Sequence, residues 1–84
     1  METFEDYEAA RIIGNRIRAH RRANDLTLET LSYLSETHVT TVSRIERGRS
    51  LPNLGTLMRL ATVLNVDPGS LIHDLHNLDF SAQQ

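Results

Sequence analysis

Between residues 37 and 48 the chain reads THVTTVSRIERG, a run that concentrates short hydroxyls and guanidiniums in Thr40, Thr41, Ser43, Arg44 and Arg47. These groups complement phosphate oxygens and the donor and acceptor edges of bases better than they serve plain solvation, and a single carboxylate, Glu46, accompanies them. Catalytic chemistry has no such concentration. No nucleophile–base pair or phosphate-cradling loop is visible, and the absence of cysteine removes thiolate catalysis, disulfides and thiolate zinc sites together. His73 and His76 flank Asp74 at a spacing of three, which can bind a metal, but two histidines without a third placed ligand are more often surface residues. The expectation is a protein that is no enzyme, with no cofactor and no metal.

Such a stretch needs a helix to present it. Val42 and Ile45 are three apart and Val39 lies three before, so one stripe can bury while the rest faces outward, with Gly48 ending the element. Upstream, Phe4 to Ala23 carries Ala9, Ile12, Ile13, the Arg16 stem, Ile17 and His20 near helical spacing, with acids early and arginines late. Thr3 with Asp6 fits a capped start, and Asn24 and Asp25 tolerate the left-handed backbone that ends a helix. Thr27 is an N-cap for a second, short helix carrying Leu28, Leu31 and Leu34 and running to about Ser35. Only Glu36 to His38 then precede the third helix, so the two pack at a steep angle as a helix-turn-helix.

After Gly48, RGRSLPN is a loop. Asn53 caps a fourth helix with Leu54, Leu57, Leu60, Ala61 and Leu64 along one face; Gly55 in its first turn costs about 1 kcal/mol relative to Ala. Asn65 and Val66 end it, and Asp67 followed by Pro68 opens a fifth helix through Leu71, Ile72 and Leu75. No segment reads as a strand. The fold class is all-α: five short helices around one leucine-rich core.

At 84 residues the core is marginal, so a dimer would add stability. The net charge of −2 hides a segregation. Residues 1–10 hold four acids and no base, residues 11–59 hold nine arginines against four acids for a net +5, and residues 60–84 hold three acids for −3. A positive face is thus compatible with a mildly acidic chain. No apolar run approaches a membrane span, and the acidic start METFEDYE is unlike a signal peptide, so the chain reads as cytoplasmic with no membrane partner. The core should be complete near Ile72. Leu75, Leu78 and Phe80, together with Ile72, then need a cover, either a two-fold dimer contact or packing on the first helix against Phe4 and Tyr7.

From Ile12 to Ile72 the chain resembles the lambda-repressor-like, Cro/C1-type (XRE family) helix-turn-helix domains. IGNRIRAHRR, LTLETL, VSRIERG, LPNLGTLMRLATVLNV and DPGSLI carry the resemblance, five elements in order at the right spacing. It divides the chain into an acidic extension of the first helix (1–11), the domain itself (12–72) and a C-terminal tail (73–84). It implies an ion pair between Arg21 and Glu46 that holds the third helix and leaves Arg21 near the phosphate backbone; as an exposed pair this is expected to contribute about 0.2 to 1 kcal/mol. It further implies base reading by Val39, Thr40, Thr41, Ser43 and Arg44, with His38 beside them as a phosphate contact or a plain helix-starting residue. Arg44 suits guanine, whose two acceptors match its fork. Thr27, Leu28, Arg47, Arg49 and Asn53 would position phosphates, the last through backbone N–H groups.

The sequence departs from that pattern at Leu28, Ser32, Glu36 and Thr37, where glutamine, alanine, glycine and an aliphatic residue are usual. The implied function is a homodimeric, sequence-specific regulator of transcription on double-stranded DNA, a bacterial or phage repressor reading an inverted repeat. The alternative is a protein-interaction module with a regulatory protein partner, such as the antitoxin of a toxin–antitoxin pair.

Overall fold

The computed structural model describes residues 4–75 and 78. Five helices follow in order: α1 (Phe4–Ala23), α2 (Leu28–Leu34), α3 (Val39–Glu46), α4 (Leu54–Leu64) and α5 (Gly69–Ile72), with no strand among the described residues. The start expected from Thr3 with Asp6 falls partly outside them, since Thr3 is not described.

Side-chain caps open the helices where the sequence places them. Thr27 Oγ1 accepts from the Thr30 N–H at 3.0 Å, and Asn53 Oδ1 from the Thr56 N–H at 2.8 Å. Asp67 Oδ1 accepts from the Gly69 N–H at 2.8 Å, with Pro68 already in the right-handed helical region.

The first four helices close alike. Asp25, Glu36, Gly48 and Asn65 each take positive φ, between 54° and 73°. After each of them the next N–H (Leu26, Thr37, Arg49, Val66) reaches back to the carbonyl of Arg21, Ser32, Arg44 or Ala61, at 2.9–3.1 Å. This is the Schellman closure, which satisfies carbonyls that a helix end would otherwise leave bare. Asp25 and Asn65 tolerate this backbone and Gly48 has no Cβ to strain, whereas Glu36 holds it at a cost.

Ile13, Ile17, Leu31, Val42, Ile45, Leu57, Leu60, Ala61, Leu64 and Leu71 form one continuous core. Each large aliphatic among them contributes about 1.5 to 3 kcal/mol by leaving water. α1 is the central strut, packed against α3, α4 and α5, while α2 packs on α3 and α4. Ala9, Ala10 and Gly14 are also buried, and at Gly14 the backbone of α3 approaches α1 closely.

Several expectations need correction. Leu54 does not join the buried face of α4, being 73% exposed because it stands in the first turn beyond the reach of the core. Val39, in the first turn of α3, keeps 36% of its surface exposed and does not bury fully with the Val42–Ile45 stripe. The fifth helix is a single turn that stops at Ile72 and does not run through Leu75. Arg16 explains the stop: its Nη1 donates to the carbonyls of Leu71 (3.3 Å) and His73 (2.8 Å), drawing the chain onto α1. Leu75 then packs against the core from beyond the helix.

Candidate nucleic-acid interface

α3 is held from behind at its C-terminal half. Gly14 of α1 lies so close that a Cβ there would overlap the Ile45 carbonyl oxygen and sit 2.9 Å from that of Glu46. Arg21 grips the Glu46 carboxylate with two bonds, Nε to Oε2 at 2.7 Å and Nη2 to Oε1 at 2.9 Å, and its Nη1 donates to the Leu26 carbonyl at 3.0 Å. Arg18 adds an Nη2 bond to the Glu46 carbonyl at 3.3 Å and stands 3.6 Å from the carboxylate. The hydrogen bond to Glu46 raises the Arg21 pKa above the usual arginine value, against the opposing effect of burial.

The expected pair therefore forms, but it is not an exposed one: the Glu46 side chain is 2% exposed and that of Arg21 14%. Arg21 thus turns one N–H from each of its three guanidinium nitrogens to Glu46 and Leu26.

The opposite side of α3 carries the outward residues. Val39, Thr40, Thr41, Arg44 and Arg47 are exposed and Ser43 is half-buried. Arg44 and Arg49 have no ion-pair partner among the described residues, while Arg47 folds its Nε back to the Ser43 carbonyl at 3.4 Å. His38 opens the helix: its Nδ1 accepts from the Thr40 N–H at 3.2 Å, so the neutral ring carries its proton on the outward Nε2. Residue type alone did not reveal this, because histidine is an uncommon cap.

Gly48, at φ 73°, turns the chain so that Arg49 leaves the helix end. Thr27 and Asn53 lie exposed at the N-termini of α2 and α4, whereas the Leu28 side chain packs against the core, leaving its backbone N–H as the group that can meet a phosphate. α3 thus exposes no acid and is accompanied by three exposed arginines, Arg44, Arg47 and Arg49, a combination that can hold a phosphate backbone and present hydroxyls, a methyl-bearing edge and a guanidinium to bases.

Away from this face, Ile72 is 42% exposed, Leu75 and Leu78 are half-buried, and Phe80 lies outside the described residues. His73 Nδ1 stands 3.1 Å from Asp74 Oδ2, and His76 is likewise outside the described residues. Among the described residues no group of three side chains is placed to hold a metal, and no helix is long and apolar enough to cross a membrane.

Residues 17–71 match the family model HTH_3, Helix-turn-helix. Among solved structures the chain is similar to the restriction-modification controller protein C.AhdI from Aeromonas hydrophila. The identity is 35%, the coverage 74% of this chain and 94% of that one, and the TM-score 0.72. It is also similar to an HTH_3 family transcriptional regulator from Vibrio cholerae, at 26% identity and TM-score 0.76, over 87% of this chain but 42% of that one, so it spans less than half of that protein. The clp gene regulator ClgR from Corynebacterium glutamicum shares the fold at 21% identity and TM-score 0.75, over 90% and 82% of the two chains. No curated protein sequence matches the chain.

Proposed function

Because the chain belongs to the HTH_3 helix-turn-helix family, we propose that it is a DNA-binding transcriptional regulator that reads an inverted repeat as a homodimer and acts as a repressor. The observation that carries this reading is the division of α3 into an anchored back and an acid-free front: Glu46 is buried against Arg21 while Val39, Thr40, Thr41 and Arg44 face outward. In the major groove, Arg44 grips guanine through its O6 and N7, and Val39 and Thr40 meet thymine methyls. Thr41 and Ser43 offer hydroxyls to neighbouring base edges. His38 donates its Nε2 proton to a phosphate, and Arg47, Arg49 and the N-termini behind Thr27, Leu28 and Asn53 fix the register on the backbone.

The similarity to the restriction-modification controller protein C.AhdI, 94% of which the chain covers, supports the regulator reading. The subunits pair around Ile72, one of several exposed apolar residues, with Leu78 and Phe80 beyond it in sequence; Leu75 contributes less, having joined the core. Repression is steric, as a dimer seated in two successive major grooves occludes polymerase.

Selection of bound duplexes from a random library, at near-physiological salt, tests the proposal. Two half-sites with centres about 34 Å apart, one helical turn, are expected. Absence of any enriched sequence would overturn the reading and return the chain to the protein-interaction alternative.

A further inference from the structure

The two ends of α3 are supported unequally. Its C-terminal half has Gly14, Arg18 and the Arg21–Glu46 pair behind it, whereas its N-terminal end, where His38, Val39 and Thr40 stand, hangs from the turn that follows α2. That turn lacks the usual aids. Its left-handed residue is Glu36, at φ 54°, and the residue after it is Thr37. At the equivalent places after α1 and α4, Leu26 and Val66 pack against the core. Thr37 instead turns its Oγ1 to the Ser35 carbonyl at 3.1 Å.

A side chain from α4 crosses to this turn. Arg59 Nε donates to the Ser35 carbonyl at 2.9 Å, and its Nη2 reaches Thr56 Oγ1 at 3.2 Å and Thr37 Oγ1 at 3.5 Å. Ser35 is almost fully buried and its carbonyl belongs to the C-terminal end of α2, where a cation is favoured. The guanidinium therefore bonds both neighbours of the strained Glu36 while braced on its own helix. A lysine, with one compact ammonium, does not match this spread of acceptors.

We infer that Arg59 is a positioning residue for DNA reading, fastening the α2–α3 turn so that the N-terminal end of α3 keeps its angle in the groove. The inference rests on the DNA-reading proposal and assigns Arg59 no contact with DNA. Loss of a phosphate contact weakens binding to all sequences and flattens the salt dependence, while loss of a positioning contact lowers discrimination between sequences.

Arg59→Met, Glu36→Gly and the double variant separate these cases. On a selected duplex and a scrambled one, R59M should lower the specific-to-nonspecific ratio about tenfold and leave the salt slope on scrambled DNA unchanged. Glycine relieves the turn, so the R59M loss should shrink to about threefold or less in the E36G background. Without DNA, amide exchange at Glu36, Thr37 and Thr40 should quicken about fivefold in R59M while the α1 and α4 amides hold, which also certifies that the variant is folded.

A uniform loss on both duplexes with a flatter salt slope would make Arg59 a phosphate contact and overturn the inference. So would unchanged exchange at the turn. If the parent protein selects no DNA sequence, the regulator reading fails by itself, and the exchange comparison alone decides whether Arg59 fastens the turn.

Discussion

Replacing Glu46 with glutamine removes a charge that is 2% exposed while keeping the volume of its side chain. Arg21 bonds both carboxylate oxygens, at 2.7 and 2.9 Å, and a glutamine must offer an NH2 group to one of those two donors. A hydrogen bond to a charged group contributes about 1.5 to 3 kcal/mol, and breaking a buried pair from one side costs about 3 to 5. Arg21 keeps the Leu26 carbonyl and has 14% of its side chain in solvent, so part of the loss is recovered through water. The expected cost is therefore at the low end, about 3 kcal/mol.

A domain of this size is stable by about 4 to 13 kcal/mol, so the substitution removes a quarter or more of the total and lowers the Tm by about 12 to 24 °C. Urea unfolding followed by far-ultraviolet circular dichroism reads it directly, with an unchanged slope showing that only stability has moved. Because Glu46 raises the Arg21 pKa, the arginine's share of this stability is complete below the ordinary arginine range and fades only at higher pH; the loss in E46Q should thus be the same across neutral pH. Arg21→Met should cost a similar amount, and the double variant about as much as either alone, leaving a coupling of about 3 kcal/mol. Additive losses, or a single loss below about 1 kcal/mol, would refute the anchoring of α3 by this pair.

Gly14→Ala forces a Cβ into the Ile45 and Glu46 carbonyls, so it should destabilise by about 3 kcal/mol, and an unchanged thermal midpoint would mean that α1 and α3 are not in such close contact. Arg49→Ala should weaken binding to every DNA sequence and reduce the magnitude of the salt slope by about 0.9; a loss confined to one sequence would contradict its phosphate role. Arg11 lowers the Glu8 pKa by a hydrogen bond, so this pair stabilises the fold above the usual carboxylate range and ceases to do so as pH falls through the lowered value. Arg11 is exposed and Glu8 half-buried, so the pair lies at the surface within reach of salt; Glu8→Gln should leave the Tm unmoved in about 1 M salt, and a shift there would show a role beyond the pair.

What could be read from the sequence was mostly local. Thr27, Asn53 and Asp67 cap helices because their short acceptors reach the next turn, and Asp25, Gly48 and Asn65 end helices because their backbones tolerate positive φ; both facts depend on a few neighbouring residues. The Arg21–Glu46 pair was reachable through the family resemblance alone, since no local rule joins residues 25 positions apart. Its burial was missed because it depends on how α1 and α3 meet. The roles of Gly14 and Arg59 were illegible for the same reason, as each acts on a segment distant in sequence. Leu54 shows the converse error, in which helical periodicity gives the phase of an apolar stripe but not how far the core extends along it.

In the proposed complex Arg44 enters the major groove at a guanine. Interference by methylation of the selected duplex tests it most directly, because dimethyl sulfate blocks guanine N7 in the major groove and adenine N3 in the minor groove. Methylation of one guanine per half-site should abolish binding by the parent protein. Arg44→Ala should lose about 1 to 3 kcal/mol and become indifferent to that methyl group. Interference confined to minor-groove adenines, or an Arg44→Ala variant still blocked at the same guanine, would contradict it.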